Sequence, residues 1–160
     1  MLMVEDLPAQ ALQDLLKPYS IEVKLVPNSE PIPGSFWGDS EAGLIGNNLY
    51  VRPETPVHSA LHEACHYICL DSERRNNLDT DAGGDYDEEN AVCYLQILLA
   101  AKLPDCSADI LMSDMDSWGY TFRLGSASAW FFNDAEDAQQ WLLTENLIDH
   151  DNMPTYRLRI

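Results

Sequence analysis

The chain has 160 residues, 46% of them hydrophobic, and this length suffices for one substantial core but not for two. Its 27 acidic residues outnumber 9 basic ones and give a formal net charge of −18, which disfavours binding to nucleic-acid phosphates or anionic membranes. We therefore expect a single domain over 1–160, with no nucleic-acid partner and no membrane partner. The first residues lack a basic segment followed by an apolar run, so we also expect a cytoplasmic protein.

The first third of the chain predicts a short helix and three strands. LPAQALQDLLKPY has apolar residues near helical spacing and ends at Pro18. IEVKLVP alternates apolar and polar residues, which is typical of a strand with one exposed face. GLIGNNLYVRP predicts a hairpin of two short strands, because Gly46, Asn47 and Asn48 tolerate the positive φ of a tight turn.

Two longer helices are predicted next, on either side of a polar loop. ETPVHSALHEACHYICL predicts a helix that reaches about Leu70, with Thr55 as its cap and Pro56 at its first position. DSERRNNLDTDAGGDY is polar and predicts the loop. DEENAVCYLQILLAAKLP predicts a helix that starts with acidic residues, as the helix dipole favours, and that stops before Pro104.

The last third predicts two more helices and two more strands. CSADILMSDMDSW and NDAEDAQQWLLTENLI have helical patterns, whereas YTFRL and TYRLRI are typical of strands. Taken together, these elements predict an α+β fold in which a small antiparallel sheet packs on helices.

HEACH, residues 62–66, is the segment whose pattern points to chemistry. His62 and His66 are four residues apart, so on a helix their imidazoles lie side by side and can reach one Zn²⁺. Glu63 is rotated by roughly 100° from His62 and can act as general base on a metal-bound water without being a ligand. The H-E-x-x-H pattern therefore predicts a zinc site with Glu63 as its catalytic residue. His58 lies a further turn away, too far from His66 to be a third ligand.

The third ligand is expected from the next helix, which contains Glu88 and Glu89. Glu88 heads a face that continues with apolar residues, so it points toward the core, where a carboxylate needs a partner such as a metal ion. Glu89 heads a face with Cys93 and Gln96, which is less uniformly apolar. We predict Glu88 in preference to Glu89, a choice that depends on the rotation of this helix.

With these residues the chain resembles the gluzincin-type minimal metallopeptidases, in particular the ImmA/IrrE-like proteins. In that family a hairpin precedes the H-E-x-x-H helix, and the following helix supplies a Glu within an E-x-x-A pattern. The matching residues are HEACH, then Glu88 and Ala91, with Tyr94 where the family tends to have an aromatic residue. The resemblance covers a metal-site core of about 43–99 and implies a minimal zincin-like fold, which a C-terminal extension over 105–160 would complete.

The resemblance implies zinc-dependent hydrolysis of a peptide or protein substrate. In this prediction Glu63 takes a proton from a water on Zn²⁺, and the ligands are His62, His66 and Glu88. The side chain that stabilises the oxyanion stays open between Tyr120, His150 and Tyr156. The alternative is an inactive module that keeps the zincin scaffold for interaction or regulation, with or without a structural metal. The sequence predicts neither the substrate nor the oligomeric state.

Overall fold

A computed structural model describes residues 1–35, 41–78 and 83–160 of the chain. Within these ranges the protein has seven α-helices and one three-stranded sheet, so the predicted α+β class is confirmed. The helices are α1 (Ala11–Leu16), α2 (Val57–Cys69), α3 (Ser72–Asn76), α4 (Tyr86–Ala100), α5 (Ala108–Trp118), α6 (Ala127–Asn133) and α7 (Glu136–Thr144). The strands are β1 (Glu22–Leu25), β2 (Gly43–Ile45) and β3 (Asn48–Val51), and short 3₁₀ helices span Val4–Asp6 and Lys17–Tyr19.

The sheet is mixed, so the prediction of an antiparallel sheet is wrong for one of its two strand pairs. β2 and β3 form the predicted hairpin, in which Ile45 pairs with Asn48 and Gly46 takes a φ of 57° in the turn. β1 pairs with the other edge of β3 in parallel, with Glu22 opposite Asn48. Alternation along a segment predicts that it is a strand but carries no information on its direction relative to a partner.

Two predicted strands in the last third are irregular segments. In YTFRL, the chain turns at residues 123–124, where the amide of Gly125 donates to the carbonyl of Phe122 at 2.9 Å. In TYRLRI, the amide of Arg159 donates to the carbonyl of Ile68 at the end of α2. Both patterns suited a strand, but a strand also needs a partner to accept its backbone hydrogen bonds, and that partner is set by the tertiary fold.

The helix boundaries differ in detail from the predicted ones. α2 begins at Val57 with Pro56 as its N-cap, because the Thr55 hydroxyl accepts from the Arg52 amide at 2.8 Å and caps no helical amide. α3 lies within the segment predicted as a loop, where the Asp71 carboxylate caps it. The rest of that loop includes 79–82, which lie outside the described residues. α6 was not predicted as a separate helix.

α2 and α4 pack face to face at the centre of the protein, and this contact positions the candidate site. α4 is buried along most of its length, with α7 packed against it as well as α2. The H-E-x-x-H pattern on α2 therefore faces a neighbouring helix that starts with carboxylates. Across the described ranges, no helix combines the length and the apolar character that crossing a bilayer would require.

Candidate metal centre

Two histidines and a glutamate meet between α2 and α4. Nε2 of His62 lies 3.1 Å from Nε2 of His66 and 3.0 Å from a carboxylate oxygen of Glu89. The other carboxylate oxygen of Glu89 lies 3.3 Å from Nε2 of His66. The side chain of Glu89 is 46% exposed and those of the histidines are 17% and 12% exposed, so the cluster opens to solvent on the Glu89 side. Among the described residues, these three form the one group whose ligand atoms lie close enough to share a metal ion.

Glu88, the residue predicted as the third ligand, does not belong to this cluster, which contains Glu89 instead. Its side chain is 5% exposed, and its two oxygens accept from the Arg74 guanidinium at 3.0 and 2.8 Å. Nη1 of Arg159 approaches the same carboxylate at 3.2 Å. The inference that a buried carboxylate here needs a partner was sound, but two arginines are the partner rather than a metal ion.

The rotation of α4 explains why Glu89 lies in the cluster and Glu88, which the sequence pattern favoured, lies outside it. Successive residues of an α-helix are about 100° apart, so Glu88 and Glu89 point in clearly different directions. Glu89, Cys93 and Gln96 are spaced i, i+4 and i+7 and share one face, which is the face toward the histidines of α2. The more apolar face, which Glu88 begins, packs elsewhere in the core. The less apolar face, which Glu89 begins, is the one that contacts the histidines.

Gln96 lies behind His62, on the side away from Glu89. The side chain of Gln96 is fully buried, and its Oε1 lies 3.0 Å from Nδ1 of His62. Its Nε2 donates to the backbone carbonyl of His58 at 2.8 Å and lies 3.4 Å from the Tyr120 hydroxyl. The sequence alone predicts no role for Gln96, although its i+7 spacing from Glu89 could have indicated one.

The charges in the cluster hold its members together. Burial lowers the pKa of His62, but Tyr120 and the hydrogen bonds with Cys93 and Glu89 outweigh burial and raise the pKa well above its usual value. For the Glu89 carboxyl, burial acts in the opposite direction and raises the pKa. The hydrogen bond with His62 and the charges of both histidines outweigh burial, so the pKa of Glu89 is lowered overall. A protonated His62 and an ionised Glu89 therefore stabilise each other, and a cation bound at this point would replace that proton.

Tyr120 is the candidate oxyanion residue that lies against the histidine cluster. Its ring stands edge-on to that of His62, with the centroids 5.6 Å apart, and its hydroxyl lies 3.2 Å from Nδ1 of His58. Burial raises the pKa of Tyr120, and the charge of Glu63 adds to the rise, so the phenol keeps its proton near neutral pH.

The other two candidate oxyanion residues lie in other parts of the fold. Tyr156 packs on Tyr19, with ring centroids 5.7 Å apart. His150 is exposed in a turn where the Asp149 amide donates to the carbonyl of Met153. The structure thus brings Tyr120 alone of the three against the histidine cluster.

His58 stands beside the cluster but outside it. The residue is 1% exposed, and within the described part of the chain its Nε2 has no hydrogen-bond partner. Its ring packs on those of Trp118 and Tyr120, at centroid distances of 5.0 and 5.4 Å. Burial, with a smaller contribution from His62, lowers the pKa of His58 to about 4. His58 is therefore neutral near pH 7.

This shift predicts a loss of stability in mild acid. The folded pKa of His58 lies below its unfolded value of about 6.5, so the unfolded chain binds more protons between these pH values and acidification favours unfolding. We expect His58 to contribute a loss of about 2 kcal/mol in the free energy of unfolding between pH 7 and pH 5.

Urea unfolding of the metal-free protein at the two pH values measures this loss. His58→Gln keeps an acceptor for the Tyr120 hydroxyl but has no titrating group at this position. The free energy of unfolding should therefore fall between pH 7 and pH 5 by about 2 kcal/mol less in the variant than in the wild type. An equal drop in both proteins would contradict the prediction.

No family model, no curated protein and no solved structure matches this chain.

Proposed function

We propose that the protein is a zinc-dependent metallopeptidase of the gluzincin type, similar to the ImmA/IrrE-like proteins. The observation that carries the proposal is the convergence of His62 Nε2, His66 Nε2 and the Glu89 carboxylate, with Glu63 next to the first ligand in the chain. The residue set differs from the sequence-based prediction in one member, because Glu89 takes the place of Glu88.

The dimensions and chemistry of the cluster fit zinc. Four ligands at about 2.0 to 2.1 Å in a tetrahedron are roughly 3.3 Å from one another. The two histidine Nε2 atoms are 3.1 Å apart, and the nearest Glu89 oxygen lies 3.0 Å from that of His62, while the other Glu89 oxygen lies 3.3 Å from that of His66. Two imidazole nitrogens with one carboxylate are a ligand set of catalytic zinc sites, in which the fourth position takes water or substrate. The exposed side of Glu89 provides the access that a substrate needs.

In the proposed reaction, water adds to a peptide carbonyl and the C–N bond breaks. Zinc held by the three ligands would supply a Lewis acid and lower the pKa of the attacking water. Glu63 accepts a proton from that water and delivers it to the departing amine, so the protons balance. Tyr120, whose ring lies against that of His62, would stabilise the negative charge that develops on the carbonyl oxygen by turning its hydroxyl hydrogen from His58 to that oxygen.

Metal content and metal removal test the proposal. We expect about one zinc ion per chain in protein dialysed against zinc and then freed of excess metal, measured by elemental analysis. We expect this zinc to be lost in His62→Ala and in His66→Ala. Chelation should reduce the cleavage of a mixed peptide library to background, and added zinc should restore it. Because the chain carries a net charge of −18, the library should include basic peptides.

Two results would overturn the proposal. One is the absence of zinc in the wild type after dialysis, or the presence of iron in its place in the protein as purified. The other is unchanged zinc content in both histidine variants, which would place the metal at a different site. Exposed His150 offers a matched control, since His150→Ala should leave the zinc content unchanged.

A further inference from the structure

The orientation of the Gln96 amide follows from its hydrogen bonds. One end of the amide lies 2.8 Å from the backbone carbonyl of His58, and a carbonyl oxygen only accepts, so this end must be the NH₂ group. The second hydrogen of that group faces the Tyr120 hydroxyl, 3.4 Å away. The amide oxygen of Gln96 must then be the atom that faces His62. Of the two orientations of this amide, only this one satisfies both hydrogen bonds.

The orientation of the amide in turn determines which ring nitrogen of His62 carries hydrogen. The amide oxygen lies 3.0 Å from Nδ1 of His62, and an oxygen acceptor at this distance requires an Nδ1–H donor. A metal ligand must be a neutral imidazole, which has only one N–H. With hydrogen on Nδ1, the lone pair of the neutral ring lies on Nε2, the atom that faces Glu89 and His66.

We infer that Gln96 is a positioning residue that holds His62 in the tautomer with Nε2 free for the metal, an inference that rests on the proposed function. The amide itself is held rigidly, because it is fully buried and its NH₂ group is anchored to backbone and to Tyr120. Hydrogen bonds of this kind, from the second nitrogen of a ligand histidine, fix the ring and strengthen metal binding. Among the described contacts of His62, Gln96 supplies the bond to Nδ1.

Two substitutions separate this role from simple packing. Gln96→Met keeps the length of the side chain but removes both the acceptor for His62 and the donor to His58. Gln96→Glu keeps an acceptor for His62 while replacing the amide donor. We expect Gln96→Met to weaken zinc binding by about 10- to 100-fold, measured by competition with a chelator of known affinity, and Gln96→Glu to retain it within about threefold.

The hydrogen on Nδ1 of His62 gives a second readout that needs no metal. In nuclear magnetic resonance spectra of the metal-free protein, we expect a slowly exchanging Nδ1–H signal of His62 in the wild type and in Gln96→Glu, and its loss in Gln96→Met. This signal is expected whether the ring is neutral or protonated, because Nδ1 carries hydrogen in both forms.

The outcomes distinguish this inference from the proposed function. An unchanged Nδ1–H signal in Gln96→Met would overturn the inference, and so would equal loss of zinc affinity in both variants, since that indicates a structural role through the His58 carbonyl. Absence of zinc binding in the wild type would instead overturn the proposed function, while the spectra would still show whether Gln96 holds the His62 ring.

Discussion

Replacing Glu63 by Gln is expected to slow peptide hydrolysis by roughly a thousandfold, because the amide cannot accept the proton of the attacking water. Zinc binding should persist, since the ligands His62, His66 and Glu89 are untouched. The measurement is the rate of peptide cleavage by wild type and variant at equal zinc occupancy, together with elemental analysis of both. Loss of activity with retention of metal is the signature of a general base rather than of a ligand.

Glu136→Gln is the matched control for this experiment. It removes the same charge from an exposed residue in the first turn of α7, so it should change neither the cleavage rate nor the zinc content. If the wild type binds zinc but cleaves no peptide, or if Glu63→Gln cleaves at the wild-type rate, the active-enzyme proposal fails. The alternative of an inactive zincin scaffold with a structural metal would then account for the site.

Glu88 and Glu89 are neighbours in the chain, but their substitution is expected to have opposite effects. Glu89→Ala should weaken zinc binding by more than about a hundredfold, because loss of a ligand costs more than loss of an outer hydrogen bond. Its effect on the stability of the metal-free protein should be smaller than that of Glu88→Ala, because the Glu89 side chain is 46% exposed and its ion pairs with the histidines are partly screened by solvent. Chelator competition and urea unfolding measure the two quantities.

Glu88→Ala should leave zinc affinity nearly unchanged but destabilise the fold by about 2–3 kcal/mol, since it leaves the guanidinium groups of Arg74 and Arg159 without their shared carboxylate. This loss in the free energy of unfolding is smaller than for breaking a fully buried ion pair, because the side chain of Arg74 is 37% exposed. Arg159 also anchors the C-terminal segment, donating to the carbonyl of Cys69 at the end of α2. Loss of zinc in Glu88→Ala together with full zinc binding in Glu89→Ala would contradict the assignment of ligands.

Elements whose signal is local were predictable from the sequence. The hairpin over β2 and β3 was predicted from Gly46 and the residues that follow it, and α2 and α4 from their helical patterns and from the Pro that stops α4. The paired histidines also needed no tertiary information, because a spacing of four residues places His62 and His66 on one side of any helix. The candidate general base, Glu63, likewise follows from its place next to His62.

Elements that depend on a distant partner were not predictable in the same way. YTFRL and TYRLRI have strand-like patterns, but no strand lies beside them in the described structure to complete a ladder. The direction of β1 in the sheet likewise depends on how the chain crosses between β1 and β2, which no local pattern encodes.

The sequence by itself determined that the imidazoles of His62 and His66 lie one helical turn apart, with the candidate general base Glu63 between them in the chain. Only the tertiary structure decided which carboxylate joins the two histidines, because this depends on how α4 is rotated against α2. That rotation directs Glu89 to the histidines and Glu88 to two arginines, and it places Gln96 behind His62. The physical reason is that these contacts join residues on different elements, so the packing of the whole core, and not the local pattern, selects the face of α4 that meets α2.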